Sequence, residues 1–314
     1  MASLLRVGYL STLYHTSHLL RQLRWIEQDL EVDCRWLLFG TGPEMVHAFD
    51  GHEIDIGYIG LPPALIGMAR GVPLVCVGGG HVEGTVMVAG PSFRSLTESD
   101  GVRPFLQQFR NRRVGIPAAG SIHDVIFRAL LMEHSIAEVE VVNTPWADLI
   151  PYEFRKGELH AAVGTPPLAL LCERECGTRT VMPPEALWPF NPSYGIVARR
   201  EMLKQEDLIE GFLRLHEGAC NLIRESPQRA ARCTVSALPG LDEPFVRGVY
   251  AVSPKYCASL PEAYVESTLK FLPVMKQLGY VSESPRLEEI FQSTFIEKVH
   301  PDPHHYQAVE NVLT

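Results

Sequence analysis

No uninterrupted apolar run in the sequence approaches the ~18 residues that a membrane-spanning helix requires. The longest apolar stretch, residues 54–69, is broken by Asp, Gly and Pro. We therefore expect no membrane insertion. The sequence also has fewer basic than acidic residues. It contains 28 Lys and Arg and 37 Asp and Glu, which gives a formal net charge of −9. This balance argues against nucleic acid and against an anionic membrane surface as main partners.

Export signals and a disulfide pattern are missing as well. The chain runs directly into a strand-like segment, residues 4–10, with no charged region, apolar region and cleavage site before it. The seven cysteines are scattered and odd in number, which is typical of a reducing compartment. The sequence as it stands predicts a cytoplasmic protein, or a periplasmic or cell-surface protein if a leader was removed.

Several nucleotide and catalytic motifs are absent too. The chain has no P-loop, no Gly-x-Ser-x-Gly elbow and no His-Glu-x-x-His pair. Gly78-Gly79-Gly80 does not start a dinucleotide fingerprint, because Glu83 stands where the third glycine would be. Cys172 and Cys176 lack a second metal-binding pair and are interpreted as two thiols on one helix face. We expect no cofactor and no metal.

What is present is a chain of 314 residues, enough for about two domains, in which strands alternate with helices. This order predicts an α/β fold with parallel sheets that carry helices on both faces. The predicted strands are 5–10, 32–39, 54–59, 73–77, 113–116, 139–142 and 161–163. The predicted helices are 17–30, 42–49, 62–69, 122–134, 147–156, 167–173, 201–225, 227–235, 261–278 and 286–291.

A short internal repeat suggests two related lobes. Gly60-Leu61-Pro62-Pro63 and Gly164-Thr165-Pro166-Pro167 each follow a predicted strand and open a helix, where Pro is favourable; a chance match is the alternative. Segments 84–89 and 194–198 are candidate crossings between the lobes. The predicted division is 1–84 for the first part of lobe 1, 85–197 for an inserted lobe 2, and 198–314 for a mainly helical return that packs on lobe 1.

Ligands of open α/β sheets bind beyond the carboxyl ends of the strands, and helix N-termini there offer free N–H groups to anions. This rule, together with two tryptophans as a possible aromatic wall, selects candidate ligand-binding residues. Each type of candidate has a structural alternative. Ser121 could simply cap its helix, the histidines could be structural, and the tryptophans could lie in the core. The candidates are Ser11, Thr12, His15, Thr41, Gly42, Gly60, Gly80, His81, Gly84, Thr85, Gly120, Ser121, Ile122, His123, Trp146, Gly164, Thr165 and Trp188.

Acid–base chemistry has its own candidates among these loops. His81 with Glu83 would serve as a general base and its orienting partner, and His123 as an acid. The pair His304-His305 is interpreted as part of an exposed tail. Tyr58 and Tyr194 are expected in the core or at a hinge.

The order of these pieces resembles the substrate-binding proteins of nitrate/sulfonate/taurine-type ABC transporters, including the group similar to thiamine-pyrimidine synthases. The resemblance covers roughly residues 5–200. It rests on the segments Val7-Gly-Tyr-Leu-Ser11, Asp55-Ile-Gly-Tyr-Ile-Gly60, Gly71-Val-Pro73, Arg113-Val-Gly-Ile-Pro117 with Gly120-Ser121, and Lys156-Gly157-Glu158.

The resemblance implies a type II periplasmic-binding-protein-like fold, with lobe 2 inserted into lobe 1 and a small molecule held between them. Closure would use hinges near Gly84 and in segment 192–195. An ABC permease and ATPase would be partners. Departures from the family are the missing leader, the missing Cys-rich segment and Thr165 at a position where many members carry a charged or aromatic residue.

Two functions follow from these features. The first is a solute-binding protein for a small organic ligand, singly charged or zwitterionic because arginine is scarce in the predicted loops. The second is a cytosolic enzyme on the same scaffold, with elimination, desulfination or pyrimidine-forming chemistry at His81, Glu83 and His123.

Overall fold

The computed structural model describes residues 4–238 and 240–307. Its strands form two five-stranded sheets with the orders β2-β1-β3-β10-β4 and β7-β6-β8-β5-β9. The strands are β1 (Leu4–Leu10), β2 (Asp33–Phe39), β3 (Ile56–Ile59), β4 (Leu74–Val82), β5 (Val86–Ala89), β6 (Arg113–Pro117), β7 (Glu140–Thr144), β8 (Ala161–Gly164), β9 (Arg179–Met182) and β10 (Pro192–Arg199).

Helices cover both sheets and make up most of the chain after β10. They are α1 (Ser17–Leu23), α2 (Trp25–Asp29), α3 (Gly42–Asp50), α4 (Leu61–Ala69), α5 (Val102–Gln107), α6 (Ile122–Glu133), α7 (Ile150–Arg155), α8 (Pro166–Cys176), α9 (Pro184–Leu187), α10 (Glu206–Glu225), α11 (Pro227–Ala237), α12 (Glu243–Val252), α13 (Glu262–Leu269), α14 (Phe271–Gln277), α15 (Leu287–Ile290) and α16 (Thr294–Val299). No helix in the described ranges is both long and apolar enough to cross a membrane.

The two-lobe α/β fold predicted from the sequence is confirmed. Strands β5 to β9 form the second sheet, and the chain returns to the first sheet with β10. The expectation of parallel sheets is wrong for two strands, because β10 runs antiparallel to β3 and β4, and β5 runs antiparallel to β8 and β9. The predicted boundary at residue 197 falls inside β10, which lies wholly in lobe 1.

The glycine-rich segment 78–81, expected to be a loop, continues β4. Gly80 is needed there because a Cβ on it would lie 2.1 Å from the ring of Tyr194, on the neighbouring strand. The other edge of this segment is paired as well, since the amide of Gly79 donates to the carbonyl of Ala258 at 2.7 Å. Three glycines in a row here serve close packing and not a turn.

The crossings between the lobes are residues 83–85 and 183–191. They lie side by side, because the amide of Glu83 donates to the carbonyl of Asn191 at 2.8 Å. Glu83 and Phe190 have positive φ angles of 60° and 56°. The first predicted hinge, Gly84, lies in the first crossing. The second predicted hinge, segment 192–195, belongs to strand β10, and the second crossing ends just before this segment.

Several predicted helices are interrupted or were not foreseen. Segment 17–30 breaks at Arg24, whose φ is 54°, and segment 261–278 divides at Lys270 because Pro273 has no N–H to donate within a continuous helix. Helices α5, α9, α12 and α16 and strand β9 were not predicted, and most residues of the predicted crossings 84–89 and 194–198 belong to strands β5 and β10. Cys172 and Cys176 do share one helix, α8, and all seven cysteines are free thiols.

The C-terminal helices pack on lobe 1 as predicted, and they contact lobe 2 as well. Helix α10 packs on β4 through an apolar stripe that includes Phe212, Leu213 and Cys220. Helix α12, however, packs against α8, and α14 packs against α6, and both of these partners belong to lobe 2. The segment after β10 therefore contacts both lobes and connects them in addition to the two crossings. Of the predicted tail, residues 308–314 lie outside the described part.

Candidate functional site

A cavity of about 60 Å³ lies between the two lobes at the carboxyl ends of their strands. Since one water molecule needs roughly 10–15 Å³ in such a space, the cavity has room for a few waters or a small solute. From lobe 1 it is lined by Leu10, Thr12, Tyr14, His15, Gly40, Thr41, Gly42, Gly60, Pro63 and Ser193. From lobe 2 it is lined by Pro117, Ala118, Ser121, Ile122, His123, Ala147 and Thr165.

The first turn of α6 presents backbone donors at this cavity. Ser121 caps the helix, since its hydroxyl accepts from the amide of Asp124 at 3.3 Å. The Asp124 carboxylate accepts in turn from the amide of Gly120 at 3.0 Å, one residue earlier than in a standard capping box. Among the described residues, nothing accepts from the amides of Ile122 and His123. These two N–H groups are free for a ligand at a helix N-terminus.

The other helices that begin at the cavity differ in what they offer. At α3 the cap is Thr41, which accepts from the amide of Glu44 at 3.3 Å, and the amide of Gly42 has no acceptor in the described part of the chain. The repeated Gly-x-Pro-Pro turns open α4 and α8, and Gly60 and Thr165 from these turns line the cavity. Their prolines carry no N–H, so these two turns contribute shape and not a cluster of donors.

Two histidines face the cavity, and both are buried and neutral. Burial lowers the pKa of His123 to about 4, and burial together with the charges of neighbouring histidines lowers the pKa of His15 well below its usual value. His123 Nδ1 is 3.0 Å from the hydroxyl of Thr85. The buried Nδ1 of His15 has no partner among the described residues. A buried imidazole nitrogen of this kind ordinarily has a hydrogen-bond partner.

None of the described residues that line the cavity carries a formal charge at neutral pH. The wall consists of hydroxyls, neutral imidazoles, backbone amides and apolar carbons. A dianion would need a compensating cation that this wall does not supply. The arrangement suits a ligand with at most one net charge, held by hydrogen bonds from neutral donors.

The acid–base pair proposed from the sequence does not reach the cavity. His81 lies in β4 with Nδ1 3.1 Å from the hydroxyl of Ser193 and Nε2 2.6 Å from the carbonyl of Ser253. Burial lowers its pKa to about 3. Glu83 accepts from the amide of Phe190 at 2.9 Å and pairs with Lys255. Glu83 thus holds the two crossings together, and His81 joins β4 to β10 and to Ser253, because β4 continues where a loop was expected.

The remaining predicted residues surround the cavity or lie away from it. Ser11 is 3.4 Å from the carboxylate of Asp148 and lines an adjoining, mainly apolar groove of about 530 Å³. Trp146 packs over Gly40 at the rim. Trp188 stacks on Phe271, with ring centroids 4.5 Å apart, as a core residue. Gly80, Gly84, Thr85, Gly120 and Gly164 do not line the cavity.

Ser193 is the main lining residue that sequence reasoning missed. Its hydroxyl accepts from the amide of Gly84 at 2.6 Å, so it joins the return strand to the first crossing directly beside the cavity. Its position after the Pro-rich stretch that ends at Pro192 was the available signal. Tyr14 also lines the cavity, and it stands in the sequence between the candidates Thr12 and His15 although it was not itself selected.

Gly40 provides a direct test of contact between the lobes. A Cβ on Gly40 would lie 2.5 Å from the indole of Trp146, which belongs to the other lobe. We expect Gly40→Ala to hold the lobes further apart, because such overpacking costs about 1–3 kcal/mol. Small-angle scattering should report a larger radius of gyration.

Removal of the opposing ring should cancel this effect. Gly40→Ala combined with Trp146→Ala is expected to restore the radius of gyration. Gly90→Ala is the matched control, since the nearest atom to its Cβ is 4.0 Å away. Identical scattering from Gly40→Ala and the unaltered protein would contradict the prediction.

Comparison with solved structures confirms the fold. The alkanesulfonate-binding protein SsuA from Xanthomonas axonopodis pv. citri, bound to MOPS, is 16% identical, with 93% of this chain and 99% of that chain covered and a TM-score of 0.77. The periplasmic aliphatic sulphonate binding protein SsuA from Escherichia coli is 17% identical, with 94% of each chain covered and a TM-score of 0.75. The periplasmic nitrate-binding protein NrtA from Synechocystis PCC 6803 is 12% identical, with 95% and 88% covered and a TM-score of 0.76.

At these identities the likeness establishes the architecture and not the ligand. The curated proteins include no match to this chain. The model of the NMT1-like family matches residues 2–237, three quarters of the sequence. That span includes both sheets and every residue that lines the cavity. The chain belongs to the NMT1-like family.

Proposed function

We propose that the protein is a solute-binding protein, which captures a small organic ligand between its lobes and releases it unchanged when they open. The observation that carries the proposal is the inter-lobe cavity, which is lined by Ile122 and His123, whose amides have no acceptor among the described residues, and by His15. Small-molecule sites prefer such domain interfaces, with few polar groups in fixed positions. The uncharged wall favours a singly charged or zwitterionic ligand.

The similar structures support the same role. They are described as binding alkanesulfonates or nitrate, and two of them as periplasmic. By analogy, we infer that the ligand is an organic sulfonate or carboxylate. The partners would be the permease and ATPase of an ABC importer, and the protein would be located in the periplasm or at the cell surface. The enzyme alternative is weaker, because His81 and Glu83 are engaged outside the cavity.

A ligand screen tests the proposal. Thermal shift and native mass spectrometry would be run with alkanesulfonates, taurine, short carboxylates and pyrimidines, with nitrate and sulfate as inorganic comparisons. The expected result is one bound organic molecule per chain, recovered with unchanged mass. Stabilisation by inorganic oxyanions alone, or chemical conversion of the bound compound, would contradict the proposal.

Ile122→Pro tests whether the backbone donors hold that ligand. Proline is tolerated at the first position of a helix, and the preceding Ser121 has the extended conformation that proline requires, with φ −68° and ψ 161°. The substitution removes one N–H from the cavity. Since a hydrogen bond to a charged group contributes about 1.5–3 kcal/mol, affinity for the compound found in the screen should fall roughly 10- to 150-fold.

The matched control is Ile122→Val, which also shortens the side chain but keeps the amide. It should bind within a few-fold of the unaltered protein. Isothermal titration calorimetry measures both affinities, and urea unfolding checks that the proline variant is folded. If the proline and valine variants bound the ligand with equal affinity, the ligand would not be held by the Ile122 amide.

A further inference from the structure

Four potential metal ligands converge in lobe 1, outside the inter-lobe cavity. They are Glu217 of α10, Cys257 of the segment that pairs with β4, and His300 and His305 of the tail after α16. One donor atom from each lies within 4.8 Å of all the others. None of the four residues lines the inter-lobe cavity.

Five of the six distances between these donor atoms are close to the edges of a tetrahedron around a metal ion, and the sixth, from Cys257 to Glu217, is within 4.8 Å. His300 Nε2 is 3.3 Å from His305 Nδ1, and these nitrogens lie 3.4 Å and 3.8 Å from the sulfur of Cys257. Glu217 Oε1 is 3.3 Å from His305 Nδ1 and 3.8 Å from His300 Nε2. With Zn–N of about 2.0–2.1 Å and Zn–S of about 2.3 Å, tetrahedral edges are about 3.3–3.6 Å.

We propose that Glu217, Cys257, His300 and His305 bind a divalent transition-metal ion of the zinc type. Thiolate and imidazole are the ligands that such ions prefer over magnesium or calcium. A thiolate and a carboxylate together offset the charge of a divalent cation. Hydrogen bonding alone accounts less well for the cluster, because one shared proton joins only two atoms, whereas four electron-pair donors meet here.

The surroundings hold these ligands in position. The second oxygen of Glu217 accepts from the amide of Ala258 at 2.7 Å, and Arg224 is 3.3 Å from the first. Such outer contacts orient metal ligands. The tail is fixed independently, since the buried hydroxyl of Tyr306 donates to the carbonyl of Ser259 at 2.9 Å. His305 remains 42% exposed, which leaves an entry path for the ion.

The ion would join three parts of lobe 1 that are distant in sequence: α10, the segment at Cys257 and the C-terminal tail. Its binding therefore adds to folding stability, because an unfolded chain has no preformed site. The role is structural and separate from ligand capture. It also replaces the sequence-based interpretation of His304-His305, since His305 lies in the cluster and is not simply part of an exposed tail.

Cobalt substitution in the full-length protein tests the site. After treatment with a chelator, the protein should bind one equivalent of Zn²⁺ or Co²⁺ and melt at a higher temperature. The Co²⁺ form should show a sulfur-to-cobalt charge-transfer band and the visible bands of tetrahedral cobalt. Cys257→Ser should abolish the charge-transfer band. His305→Ala, at a side chain that is 42% exposed, should weaken binding at least about tenfold.

His304→Ala is the matched control and should bind the metal as the unaltered protein does. The proposal is overturned if folded protein binds no stoichiometric Zn²⁺ or Co²⁺, or if the cobalt form lacks the sulfur band. It is likewise overturned if Cys257→Ser and His305→Ala both retain full affinity. The melting and spectroscopic readouts need no solute, so failure of the proposed solute-binding function would leave this result interpretable.

Discussion

The free energy of unfolding is expected to fall steeply as the pH drops from about 6.5 towards 4. Five histidines are buried, and burial is the leading cause of a lowered pKa in each. The pKa values of His18, His123 and His216 are lowered to about 4, that of His81 to about 3, and that of His15 well below its usual value.

The direction follows from where the protons bind. An unfolded chain protonates these histidines near pH 6.5, whereas the folded protein keeps them neutral until far lower pH. The unfolded state therefore binds more protons between pH 6.5 and 4, and stability is complete above this window and lost within it. Each histidine adds a slope of up to about 1.4 kcal/mol per pH unit, so several acting together exceed the whole stability of an ordinary domain.

Urea unfolding followed by circular dichroism at a series of pH values measures this slope. His216→Gln should reduce the slope by one histidine, and it should also lower stability at pH 8, because His216 bonds the hydroxyl of Thr16 at 2.7 Å and the carbonyl of Gly79 at 2.9 Å. His47→Gln is the control, since His47 is exposed. Stability that stays constant between pH 7 and 5 would show that these histidines are protonated in the folded state.

The architecture could be predicted from the sequence because its signals are periodic and local. Alternating apolar strands and amphipathic helices predicted two α/β lobes, and the Gly-x-Pro-Pro turns marked where α4 and α8 begin. The prediction of a loop at the glycines of segment 78–80 was wrong, because a glycine that makes room for Tyr194 cannot be distinguished in the sequence from one that makes a turn. Helix α12 was missed although Asp242 caps it and accepts from the amide of Phe245 at 2.8 Å.

The residues of the candidate site that could be predicted are likewise those marked by local sequence features. Helix N-termini are local features, so Thr41, Ser121 and Thr165 could be selected from cap residues and strand ends, and all three line the cavity. Side-chain direction in a strand depends on its pairing, so no pattern could indicate that His81 faces Ser253 and not the cavity. The cluster of Glu217, Cys257 and His305 is invisible in sequence because tertiary packing alone brings these distant segments together.

The largest effect of a single substitution is expected at Asp55. Its buried carboxylate accepts from the backbone amide of Arg6 at 2.8 Å and from the Arg6 guanidinium at 2.7 Å and 3.0 Å. It also accepts from Arg199 at 2.7 Å. These three residues join β1, the start of β3 and the end of β10, so the ion pairs fasten the strand that returns from lobe 2 to the centre of the first sheet.

Asp55→Ala should destabilise the protein by up to about 3–5 kcal/mol, because the buried Arg199 guanidinium loses its only buried carboxylate among the described residues and keeps just the exposed Glu201 and the ring of His52. Asp55→Asn keeps the shape and part of the hydrogen bonding, so its cost should be smaller. Urea unfolding at pH 8 measures both. Glu175→Ala, which breaks the exposed pair with Arg155, is the control and should cost no more than about 1 kcal/mol.

The pH dependence of this contribution differs from that of the histidines. Burial acts to raise the pKa of Asp55, but hydrogen bonds from Arg6 and Arg199 outweigh it and lower the pKa below its usual value. The stabilisation is therefore complete above about pH 4 and is lost only as the pH falls further, through the lowered pKa. Asp55→Ala and the unaltered protein should thus differ by a constant amount between pH 8 and 6. A difference that shrinks across that range would mean that the carboxylate is not ionised in the folded protein, and the ion-pair account of the centre of the sheet would fail.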